Sequence, residues 1–159
     1  MADFEHGLRF ENLNDAVAYA RRCLTHGYEQ TGNWDLAQTC RHMSDWLRAP
    51  MDGLPKMSWP MKLLMAVLSR TAGPGMVRKF LSDRRLPGGM GTLNATVHPP
   101  ESDATAAVEE FAVVAARFIA HKGPWLRPSP LVGNLDPKQV MELQVVHCMH
   151  HFGRLKPHR

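Results

Sequence analysis

The stretch DPKQVMELQVVHCMHHF, residues 136–152, decides the fold. Asp136 can accept hydrogen bonds from the free amides of a first helical turn, and Pro137 suits the first helical position. The spacing that follows predicts a long helix running to about Phe152. Its last turns carry His147, His150 and His151, three of only nine histidines in the chain.

Working outward, apolar residues recur at helical spacing in three other long segments, and no stretch shows convincing β alternation. One helix is expected from about Asn14, with Ala16, Val17, Ala20, Leu24 and Tyr28 on one face and Gly32 helping to close it. A second opens at DLAQ, where Asp35 and Gln38 form a capping box, and runs to about Ala49 with Leu36, Cys40, Met43 and Leu47 as its stripe. His42 and Trp46 lie at the edge of that stripe. Another opens at Ser102 or Asp103 and closes with Gly123, its apolar line running from Ala104 through Phe111 to Ile119.

Between Pro50 and Pro100 lies a long crossover: a helical piece from about Ser58 to Arg70, a short basic helix from Pro74 to Asp83, and the loop LPGGMGTLN. Its glycines suggest a loop that moves over or beside a site. Its methionines, Met57, Met61 and Met65 among them, read most simply as packing. The fold class is therefore all-α, and 159 residues suit one domain over 1–159.

Composition excludes several classes of function. With 44% hydrophobic and 21% charged residues the chain can bury a core. The net charge of +4 is small and its basic residues are scattered apart from RKFLSDRR (78–85) and the terminal RLKPHR, so nucleic acid is not an expected partner. The longest apolar run, LLMAVL, is far too short to span a bilayer, and no membrane partner is expected. Cys23, Cys40 and Cys148 are odd in number and lack CxxC spacing, which fits a reducing cytoplasm.

Residues four apart on a helix stand close enough to share an ion, so His147 and His151 can converge, although His150 is also near the face of His147. Spacing does not choose between them. Neutral imidazoles suit first-row divalent metals, and three protein ligands with open positions mark catalytic sites. His42 is the best third candidate, being the only other histidine in mid-helix beside an apolar stripe. His6, His26, His98, His121 and His158 fall at termini, helix ends or loops. The commoner reading of such spacing is solvated or helix-capping histidines. Asp45 reads as a surface acid, or else as a fourth ligand or a group supporting one, Cys148 as a core thiol, and Trp34 and Trp125 as plugs at the bundle ends.

The blocks GNWDLAQTCRHMSDWLRAPMDG (32–53) and PLVGNLDPKQVMELQVVHCMHHFGRL (130–155) together resemble the DUF1569 family within the DinB/YfiT-like superfamily. The resemblance implies a four-helix bundle with a long crossover between helices 2 and 3, and a divalent metal, Zn or Ni, held by His42, His147 and His151. Some relatives in that superfamily are thiol-dependent transferases or isomerases, while the DUF1569 branch has no assigned reaction. With the Lewis acidity of a bound metal, the expectation is a thiol S-transferase or hydrolase acting on a small-molecule substrate, with a low-molecular-weight thiol as a cosubstrate in the transferase case. A homodimer is plausible for such a bundle. The alternative is a non-catalytic bundle whose histidines or metal are structural and which binds a partner through MVRKFLSDRR.

This chain has Arg154 where family members commonly carry glutamine. On an ideal helix Arg154 falls about 20° from His147, where a dication would repel it unless it frays outward, pairs with a carboxylate such as Asp45 or meets an anionic substrate group. The departure implies a changed substrate or else a weakened metal site, and the first is preferred.

Overall fold

The computed structural model describes residues 7–53, 59–89, 92–101, 103–126, 132–133 and 135–158. His6, Met57, Ser58, Ser102 and residues 90–91 of the glycine loop lie outside them, as does the side chain of Met61. The chain order is α1 (Leu13–His26), β1 (Tyr28–Gln30), α2 (Leu36–Asp52), α3 (Trp59–Thr71), α4 (Gly73–Asp83), a 3-10 turn at Asn94–Thr96, α5 (Thr105–Ala120), α6 (Pro137–Phe152) and β2 (Leu155–Pro157). The structure is mostly helical with one small sheet. No helix among the described residues is long and apolar enough to cross a membrane.

The helix starts follow capping chemistry. Asn12, Asp35 and Asp136 each accept from first-turn amides while Asp15, Gln38 and Gln139 reach back, so three capping boxes set the entries of α1, α2 and α6. α2 packs along α5, α1 lies against α5 and α6, and α2 also meets α6. Their shared core includes Leu13, Met43, Leu47, Phe111, Phe118 and Phe152, all fully buried.

Several expectations need correction. The first helix closes at Gly27, whose φ of 73° only glycine adopts without strain, and not at Gly32. Tyr28 therefore leaves the helix and begins a strand. β1 pairs antiparallel with β2, Glu29 opposite Lys156; strands of three residues are too short to show alternation in sequence. α5 starts later and ends earlier than expected, at Thr105 and Ala120, and Ile119 is 40% exposed.

α2 passes through Pro50 to Asp52 where the sequence suggested a stop near Ala49. Proline has no amide hydrogen, so the Trp46 carbonyl four residues back loses its helical donor. Gln144 of α6 replaces it: its Nε2 donates to the Trp46 oxygen at 3.2 Å. A defect in one helix thus becomes a pin to the next, one turn before His147.

The pin makes a specific prediction. Gln144→Leu leaves a buried carbonyl unmatched and should cost about 1–3 kcal/mol in urea unfolding. In a Pro50→Ala background, where residue 50 supplies the missing amide, the same change should cost less. Equal penalties in both backgrounds would contradict the pin.

Candidate metal centre

His42 is 1% exposed in the middle of α2. Its Nδ1 lies 3.0 Å from the Thr96 carbonyl oxygen, which can only accept, so Nδ1 carries the hydrogen and the Nε2 lone pair points the other way. That Nε2 is buried with no hydrogen-bond partner. A buried polar atom left in that state is costly unless a cation or a proton donor meets it.

Across from it stand the two α6 histidines. His147 and His151, one turn apart, bring their Nε2 atoms within 3.0 Å of each other. Two nitrogens bound to one ion at roughly 2.0–2.1 Å sit roughly 3 Å apart, so this spacing fits shared ligation. One ligand nitrogen from each of His42, His147 and His151 lies within 4.8 Å of the others, and the group could hold a metal ion. His42 is buried, whereas His147 and His151 keep part of their surface. The cluster is closed on the α2 side and partly open on the α6 side.

His150, which spacing left as a rival, faces elsewhere. It lines a separate cavity of about 160 Å³ with Leu8, Arg84, Leu86, Met149 and Gly153. Cys148 is buried, and burial pushes its thiol far above the ordinary range, as expected of a core residue.

Aromatic rings wall the cluster. Trp34 stacks on His151 at 5.1 Å with planes 8° apart and also touches His42, so it is no plug at a bundle end. Trp46 meets both His42 and His147 edge-on. Trp125, by contrast, packs on Phe118 and His121. The β1–β2 pairing places Trp34: it ties the segment entering α2 to the segment leaving α6, with the Thr31 amide donating to the Arg154 carbonyl at 2.9 Å.

Residues 96–101 form a strap along α2. Gln38 donates to the His98 carbonyl, His98 Nε2 meets Asp45 at 2.7 Å, and Arg41 holds Glu101 with two hydrogen bonds. This strap supports His42 through Thr96. Asp45 is committed to His98 and to Arg48 at 3.6 Å, so it does not join the histidines. His98, read from sequence as a loop position, is the residue that turns Asp45 away. A further cavity of about 310 Å³, lined by Asp45, Trp46, Arg48, Asp52, Leu93 and Thr96 among others, shares Trp46 and Thr96 with the cluster.

Arg154 departs from its ideal-helix position because α6 ends at Phe152. Its stem lies over Gly32, where an added Cβ would approach the Arg154 Cδ to 2.9 Å. Gly32 is thus needed for close approach, not for ending α1. The guanidinium stays near enough to disfavour protonation of His150 and His151.

Charge and burial together keep the rings neutral. Burial holds His42 down at about 4, while His147 and His151 lie well below the ordinary histidine range, from burial first and from neighbouring histidines second. Neutral imidazole is the form that binds metal.

The DUF1569 family, described as a protein of unknown function, matches residues 2–158, and the chain belongs to it. No curated protein and no solved structure matches the chain.

A pH prediction follows from the neutral rings. Unfolded histidines take up protons near pH 6.5, whereas folded His42 resists until about pH 4. Between those values the unfolded state binds more protons, so stability falls as the pH drops. Chelator-treated protein should lose up to about 1.4 kcal/mol per pH unit for each such ring. His42→Gln should flatten the slope in urea unfolding at pH 7, 6 and 5. A stability independent of pH over that window would contradict the burial of neutral histidines.

Proposed function

We propose that this member of the DUF1569 family is a divalent-metal-dependent enzyme of the DinB/YfiT-like helical type, in which His42, His147 and His151 hold Zn²⁺, Ni²⁺ or a similar ion. The observation that carries the reading is the buried, unmatched Nε2 of His42 facing the paired Nε2 atoms of His147 and His151. The donor set fits: three neutral nitrogens suit first-row divalent ions. The ion would supply Lewis acidity, making water or a low-molecular-weight thiol nucleophilic at neutral pH.

The residues of the chain do the rest. The Thr96 carbonyl fixes the tautomer and direction of the His42 ring, as carbonyl partners of ligating histidines commonly do. Trp34 covers one face of His151 and keeps water from it. The Arg154 cation beside His151 suits an anionic group on a substrate. The cavity behind Trp46 and Thr96 has the size of a small-molecule site.

A purely structural metal clasp is less well supported. Structural zinc sites are closed by four ligands, whereas among the described residues only these three histidines converge, two of them partly exposed. The four-helix bundle topology agrees with the mutual packing of α1, α2, α5 and α6. Transfer of a thiol to an electrophile and hydrolysis of an activated acyl group use the same Lewis acid, and both belong to the proposal.

Metal-loaded protein assayed with a thiol panel plus electrophilic acceptors, and with activated esters and amides, should turn over one of the two sets. His147→Ala should abolish that activity, and Trp34→Ala should lower it roughly tenfold. Metal-loaded protein inert toward both sets would contradict the enzyme reading.

A further inference from the structure

The positive charge of the chain is concentrated on two neighbouring helices and the two residues that follow them. Between Trp59 and Arg85 stand Lys62, Arg70, Arg78, Lys79, Arg84 and Arg85 against one acid, Asp83, so this stretch carries +5 while the whole chain carries +4. Every other residue together sums to −1. Four of these cations already stand together in RKFLSDRR, residues 78–85; α3, which packs on α4, adds Lys62 and Arg70 to the same region.

The same region bears an uncovered apolar face. Trp59 is 77% exposed, and Leu63, Leu64 and Val67 are each at least half exposed. Trp59, Leu63 and Val67 recur every four residues and so line one side of α3, with Leu64 beside them. On an ideal helix Arg70 falls at the C-terminal end of that side, and Lys62 lies about 60° beyond Trp59. Ser69, about 20° further round, is buried. Among the described elements α3 packs chiefly on α4, and its apolar side chains stay exposed.

We propose that this face docks on an anionic lipid surface, Trp59, Leu63, Leu64 and Val67 entering the headgroup boundary while Lys62 and Arg70 meet acidic lipid headgroups. Aromatic and aliphatic residues on one helix side with cations at its margin are the pattern of interfacial helices. A second copy of the chain is the poorer occupant, because it would set +5 against +5. A partner helix would need a groove, and a single exposed helix offers none. The expectation of no membrane partner rested on the lack of a spanning segment, which surface docking does not require.

The full chain should sediment with vesicles of mixed phosphatidylglycerol and phosphatidylcholine, and not with phosphatidylcholine alone. Binding should fall at high salt. Lys62→Gln with Arg70→Gln should weaken it roughly thirtyfold, and Trp59→Ser with Leu63→Ser should abolish it. Circular dichroism should stay unchanged in both, since these side chains are exposed. The emission lost in Trp59→Phe should be the part that shifts to the blue on anionic vesicles. No binding to anionic vesicles, or a dimer of the free protein that Leu63→Ser dissociates, would overturn the proposal.

Discussion

A histidine ring buried between two helices needs partners for both of its nitrogens, and His42 meets that demand on one side only. Its Nδ1–H is satisfied by the Thr96 carbonyl, which ties α2 to the strap that follows the crossover. Its Nε2 points at α6, where His147 and His151 converge. Three separate parts of the chain are arranged around one lone pair. The Gln144 contact to the carbonyl that Pro50 frees holds α6 in register with α2 nearby, and β1–β2 fixes where α2 begins relative to where α6 ends.

Much of this was legible in the sequence, because the signals were local. Asp35 with Gln38, and Asp136 with Pro137, mark helix starts through chemistry confined to four residues. The apolar stripe of α2 then places His42 at its inward edge, whereas α6 is apolar nearly all round and periodicity does not single out its ligand pair. What was missed depends on residues far apart in the chain. Trp34 stacks on a histidine more than a hundred positions later, and Asp45 is captured by His98 across the crossover. Arg154 leaves the ideal-helix line because α6 ends at Phe152, an end that the apolar pattern alone does not fix. Pro50 did carry a usable signal: a proline inside a helix implies an unmatched carbonyl four residues earlier, and a buried glutamine is a suitable donor.

The ionic groups between α2, α5 and the strap organise more than they stabilise. Arg41 bridges Glu101 and Glu110, and Arg48 reaches Glu110 and Asp45, all with side chains partly open to solvent. Such pairs add little energy singly. Their effect is positional: they hold the strap, and with it Thr96, against the helix that carries His42. Carboxylates near the cluster are engaged in these pairs, which leaves the site to neutral nitrogen donors and a neighbouring arginine.

The most direct test of the account is metal content by mass spectrometry, on protein purified without a metal-affinity tag or chelator. The wild-type chain should carry close to one equivalent of a divalent metal. His42→Ala, His147→Ala and His151→Ala should lose it, and His150→Ala should keep it. A wild-type chain that takes up no Zn²⁺ or Ni²⁺ on incubation, or a site that survives loss of His151 but not of His150, would contradict the account.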